Sequence, residues 1–150
     1  MPDIRIRTQY SVFLVNKPGV LAQVTSALAD EKINIVAMTL VDSQEHGVLR
    51  FVTDDGDHVR QALAQLNLPT TETEVLCVEL PNRPGALAGI AGLMGKNHIN
   101  INYAYVTSGS PGGHTIGVFK VADLKKAMKL LHETGGKHRE PSIRRVPSRR

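Results

Sequence analysis

The chain has 150 residues with 41% hydrophobic and only 4% aromatic side chains and no Trp, so its core must be aliphatic. The absence of any run of about 18 apolar residues excludes a membrane-spanning helix, and the polar start Met1-Pro2-Asp3-Ile4-Arg5 excludes a secretory signal, which makes the cytoplasm the expected compartment. One cysteine, Cys77, excludes an internal disulfide and any paired-cysteine metal or redox motif, and the net charge of +4 is local, because residues 137–150 carry six basic side chains against one acid.

In chain order, Ile4-Arg5-Ile6-Arg7-Thr8 alternates as a strand, and Val12-Phe13-Leu14-Val15 is a second strand-like run. Asn16-Lys17-Pro18-Gly19-Val20-Leu21 follows. Pro18 suits the first position of a helix, where its missing N–H costs nothing, and Val20, Leu21, Val24, Ala27 and Leu28 continue at helical spacing. Ile33-Asn34-Ile35 leads into a strand over 34–41, then a loop, a strand over 47–53, and a helix over 57–67 with Ala62, Leu63 and Leu66 on its apolar side. From Thr70 to Leu80 there is no turn residue, which predicts one long strand ending one unit and opening the next.

The same order then repeats. Asn82-Arg83-Pro84-Gly85-Ala86-Leu87 lies 66 residues after the first turn, and Ile99-Asn100-Ile101 lies 66 residues after Ile33-Asn34-Ile35. The helix carries Ala86, Leu87, Ile90, Leu93 and Met94; strands follow over 100–107 and 116–121, and a helix over 123–133 with Ala127, Met128 and Leu131. By Phe51 and Phe119 the register has slipped by two, a slip that the Gly- and Ser-rich loop 108–113 absorbs cheaply. The period fits two copies of a small βαββαβ domain: 1–69, 70–136, and a basic tail 137–150 whose composition is that of a disordered segment. The second copy lacks a closing strand, since Gly135-Gly136-Lys137-His138 forms strands poorly; residues 4–8 are expected to supply it. The predicted fold class is α+β, two ferredoxin-like units whose antiparallel sheets lie side by side, about eight strands in all, with helices on one face.

The duplicated turn is the strongest candidate site. A Gly allows close approach of a ligand, and the first turn of a helix presents unpaired N–H groups on the positive end of its dipole, which suits a carboxylate. The alternative is a tight strand-to-helix turn and nothing more. Tyr103 and Tyr105 share one strand face, walling a pocket or packing an interface. Gly89, Gly92 and Gly95 recur every third residue of a helix, for close packing or as a weak helix. Arg50 pairs with a carboxylate or faces solvent. The six histidines show no metal spacing, Cys77 reads as core, and no catalytic constellation is present, so no cofactor is expected. The middle strands offer one aromatic each, Phe51 and Phe119, which argues against RNA-binding aromatics and against nucleic acid as a partner, although the tail can touch a polyanion.

On the turn Asn-(Lys/Arg)-Pro-Gly-(Val/Ala)-Leu and on Ile-Asn-Ile, both duplicated, the chain resembles the ACT domain, an amino-acid-sensing module of many metabolic enzymes, and more narrowly the small stand-alone tandem ACT proteins of bacteria. The resemblance covers about residues 5–134. It implies a non-enzymatic ligand sensor that binds a free amino acid where two units meet, at Asn16, Pro18, Gly19, Val20, Leu21, Asn34 and Ile35 and at Asn82, Pro84, Gly85, Ala86, Leu87, Asn100 and Ile101. It implies as partners a small-molecule amino acid, a second copy in a homodimer, and a metabolic enzyme or regulator. The competing expectation is a protein–protein interaction module that keeps the fold without a ligand.

Overall fold

The computed structural model describes residues 3–15, 17–42, 46–54, 57–107 and 113–134. Asn16, part of the loop 108–113 and the basic tail therefore lie outside the described residues.

The apolar alternation of the first fifteen residues produces a single strand, β1 (Ile4–Val15), rather than two short ones. Helix α1 (Val20–Asp30) follows, then β2 (Ile35–Asp42), β3 (His46–Thr53), α2 (Asp57–Ala64) and β4 (Thr70–Pro81). The second unit continues with α3 (Ala86–Lys96), β5 (Ile101–Val106), β6 (His114–Val121) and α4 (Leu124–Thr134). Helix α2 ends three residues earlier than its apolar pattern suggests, and Asn67, beyond its end, has a φ of 50°.

All six strands form one antiparallel sheet in the order β2-β3-β1-β4-β6-β5. Six rather than eight strands suffice because β1 and β4 each serve both units. They pair from Ile4↔Val78 to Val12↔Thr70. Residues 9–15 of β1 pair with β3 of unit one, and residues 76–81 of β4 pair with β6 of unit two. The first part of each long strand thus closes the opposite unit: residues 4–8 flank the second unit, as its missing closing strand requires, and the start of β4 flanks the first. Thr8 pairs with Glu74, the residue 66 positions later, so a pseudo-two-fold axis passes through this pair.

Period-two alternation sends Tyr10, Val12, Leu14, Leu49 and Phe51 to one face, where they meet Val20, Val24 and Leu28 of α1 and Val59, Ala62 and Leu63 of α2. The second unit buries Leu76, Val78, Leu80, Phe119 and Val121 against Ile90, Met94, Ala127 and Leu131. Among the described residues the other face carries no helix. Instead the sheet curls until Cα atoms of its edge strands β2 and β5 come within 8 Å, and Ala37, Val52, Val75, Cys77 and Val118 are buried inside the curl.

The repeated Ile-Asn-Ile has a structural explanation. Lys32 and His98 end their helices in the left-handed conformation, φ 57° and 54°. The next amide turns back: Ile33 N–H donates to Leu28 O at 2.9 Å and Ile99 N–H to Met94 O at 3.0 Å. This is the Schellman closure of a helix, with its apolar residue just beyond. Ile33 and Ile99 are buried in the two cores, and each second Ile starts a strand.

Candidate functional site

Each opening turn ends in a glycine that no other residue replaces cheaply. Gly19 and Gly85 have φ of 90° and 89° and form the N-caps of α1 and α3. Pro18 and Pro84 consequently stand one residue before the cap rather than at the first helical position, because the chain needs the glycine's positive φ to swing from strand into helix. Neither cap has a side-chain hydrogen bond, and neither first turn contains an acidic residue. Each glycine carbonyl accepts the first helical bond, from Gln23 and from Gly89, both at 3.0 Å. No protein carboxylate of the first turn therefore occupies the positive end of either helix dipole.

Around these caps, Pro18, Gly19, Pro84 and Gly85 are exposed, Val20 is buried, and Leu21 and Ala86 pack partly into the cores. Leu87 is 46% exposed. Asn82, half-buried, holds its own turn to the β6 hairpin by donating its backbone N–H to Gly113 O at 2.7 Å. Asn34 and Asn100 are exposed, while Ile35 and Ile101 pack partly against their cores.

The sheet register decides which of these residues meet. Turn one follows Val15 and turn two follows Pro81, and the antiparallel pairing of β1 with β4 puts them at opposite ends of the sheet. Both second strands begin near its middle, since Ile35 pairs with Thr53 and Ile101 with Val121, level with Thr8 and Glu74. Each turn is thus about seven residues, or roughly 23 Å along the strands, from either Ile-Asn-Ile segment. One chain brings together Pro18, Gly19, Val20 and Leu21 at one end, Asn82, Pro84, Gly85, Ala86 and Leu87 at the other, and the two Asn-Ile pairs in between.

Inside the curl lies a polar cluster that sequence reasoning missed. Gln9 is fully buried; its Nε2 donates to the Tyr103 hydroxyl at 2.6 Å, and the Tyr105 hydroxyl donates to its Oε1 at 2.8 Å. Arg50 neither faces open solvent nor meets a carboxylate at this point: its guanidinium carbon stacks 4.2 Å from the Tyr103 ring centroid. The two tyrosines pack rather than wall a cavity. Burial, with smaller contributions from Cys77 and Tyr103, raises the Tyr105 phenol well above its ordinary range despite Arg50. Burial pushes the Cys77 thiol up to about 11, against a smaller lowering by Arg7, as fits a core residue rather than a nucleophile. Tyr103, Tyr105 and Arg50 stood out in the sequence one by one; Gln9, the residue that joins the two tyrosines, is an uncharged polar residue in a strand and is indistinguishable there from a solvent-facing one.

A hollow of about 290 Å³ lies between the end of α2 and the start of β4, lined by residues including Tyr10, Leu63, Asn67 and Leu68, and bridged at its rim by Arg60 and Glu72 at 2.9 Å. It contains none of the predicted site residues. Among the described residues no group of three His, Cys, Asp or Glu side chains is placed to hold a metal, and no helix is long and apolar enough to cross a membrane.

Comparison with solved structures finds a protein from Bacteroides thetaiotaomicron at 30% identity, with a TM-score of 0.80 over 88% of this chain and 90% of that one. The ligand-free regulatory subunit of aspartate kinase from Thermus thermophilus matches at 16% identity with a TM-score of 0.66, over 88% of this chain and 95% of that one. The corresponding subunit from Thermus flavus matches at 16% with 0.59, over 89% and 96%. At these identities the two kinase subunits share the fold. No curated protein matches the chain by sequence. The family model described as an ACT domain pair matches residues 5–136, and the chain belongs to the ACT domain family.

Proposed function

We propose that this chain is a non-catalytic regulatory protein of the cytoplasm that binds a free amino acid at an interface between ACT units and passes that occupancy to a metabolic enzyme or regulator. The observation that carries the reading is the pair of glycine-capped helix starts, each exposed, free of first-turn acid and shaped alike to within a few degrees. A backbone turn of this form favours the carboxylate of an amino acid without demanding a particular side chain. Because the turns stand far from the second strands within one chain, the reading includes a second copy that brings its own strand edge to each turn. The exposed Met38, Leu40 and Val41 on edge strand β2 support such a homodimer.

A thermal-shift screen of the intact protein against the twenty amino acids at millimolar concentration tests this. A micromolar ligand, worth about 8 kcal/mol of binding, should add about 4 kcal/mol of stability at that excess. Gly85→Val and Gly19→Val should abolish the shift. Gly85→Asn controls for strain, because Asn tolerates a left-handed φ while still placing a side chain at the cap. A screen with no shift would favour the second reading, a ligand-free interaction module, for which the exposed Leu87 on α3, a helix with no charged residue before Lys96, speaks.

A further inference from the structure

The cluster around Gln9 joins elements that backbone pairing keeps apart. Gln9 is on β1, Arg50 on β3, and Tyr103 and Tyr105 on β5, three strands from β1 in the sheet order. Strand β5 is a six-residue edge strand that pairs with β6 alone and carries a register shift between Ile101 and Tyr103. Its hold on the rest of the sheet therefore depends on what its inward side chains touch. Both polar atoms of the fully buried Gln9 carboxamide are spent on β5, at 2.6 and 2.8 Å, with the two tyrosines half-buried. Lifting β5 would strand a buried amide, so the closed state is favoured until water can enter and replace both bonds.

The arrangement occurs once in a twofold repeat. Sixty-six residues separate Gln9 from Val75, Ala37 from Tyr103 and Thr39 from Tyr105. At the equivalent positions Ala37 and Val75 share an apolar cluster and have no polar side-chain atoms with which to hydrogen-bond. The hydrogen-bonded grip therefore runs one way, from unit two onto unit one. Strand β5 starts directly after Asn100, and β1 ends directly before the turn containing Gly19.

We propose that Gln9, Tyr103, Tyr105 and Arg50 form a one-sided latch that ties the β5 edge of unit two to β1, so that release of β5 loosens the first turn of unit one. As a regulatory device this rests on the proposed reading of the turns as ligand sites. Its test uses no ligand, so a failed amino-acid screen and a failed latch are separate results.

The test is segment-resolved amide hydrogen exchange of the full chain as wild type, Tyr103→Phe/Tyr105→Phe and Gln9→Met. Removing two buried hydrogen bonds should speed exchange about tenfold or more in residues 101–106 and also in residues 9–15 and the first turn of α1, with α3 and α4 unchanged. Acceleration confined to β5 would overturn the coupling, and acceleration of equal size in every segment would reduce the cluster to general stability. If the double variant does not fold, Tyr103→Phe alone, which keeps the Tyr105 bond, should show the same pattern at smaller size; its absence overturns the proposal equally.

Discussion

At the scale of single residues, local backbone demands explain more of the repeated motifs than ligand chemistry does. Lys32 and His98 hold a left-handed conformation that costs an L-residue roughly 1–2 kcal/mol. His98→Gly should therefore raise stability, by about 0.5–1 kcal/mol once the glycine's own entropy is subtracted, measurable by urea denaturation. A loss of stability would mean that the imidazole does something the backbone account leaves out. Cys77 supports a prediction about pH. Its thiol is raised to about 11 in the fold, so the neutral form is favoured and this contribution is whole below the ordinary value near 9 and is lost as pH rises through about 11. The native thiol should resist a disulfide reagent at pH 8 and react readily once urea unfolds the chain. Rapid reaction of the native protein would show that the strand around it opens.

At the scale of elements, the decisive observation is the exchange of strand segments. Deleting residues 1–8 removes Ile4, which packs into the second core, and leaves the β4 segment 74–78 with an unpaired edge. The expected outcome is a clear fall in melting temperature with loss of protection in β4 and α4. An unchanged melting curve would show that the second unit closes without this strand. This exchange was legible in the sequence because Thr70–Leu80 contains no turn residue and Gly135-Gly136-Lys137-His138 forms strands poorly. The helix and strand order followed from periodicity in the same way. The curl was not legible: it depends on Gln9, Arg50, Tyr103 and Tyr105 meeting across strands remote in the sheet, and no period or propensity encodes that. Of the candidate site, the glycines' backbone role was readable from the duplicated turn. The distance between turn and Ile-Asn-Ile was not, because it follows from register, which pattern alone leaves open.

At the scale of the whole molecule, the two units are unequal despite their common plan. Phe13, Val15, Met38, Leu40 and Val41 are all exposed in unit one, where unit two carries Glu79, Pro81, Ala104, Val106 and Thr107 at the equivalent positions. Apolar exposure of this kind around an unpaired strand edge needs covering. If the cover is a second copy, Leu40→Lys should convert a dimer to a monomer in sedimentation velocity while leaving the far-ultraviolet spectrum unchanged. A mass unaffected by Leu40→Lys would remove β2 as the dimer edge. Producing 1–69 and 70–150 as separate chains, each purified alone, should give poorly folded material, since each half then lacks a strand that it needs.

The exchanged strands also set a timetable for synthesis. Residues 4–8 leave the ribosome about seventy residues before their partners at 74–78, a delay of roughly 4–14 s at about 5–20 residues per second. During that interval Ile4 and Ile6 have no native neighbour, and unit one has no closing strand. Residues made ahead of unit one thus belong to the unit finished after it, and nascent chains crowded on one message have a window in which the waiting strand 4–8 of one can pair with the open edge of another.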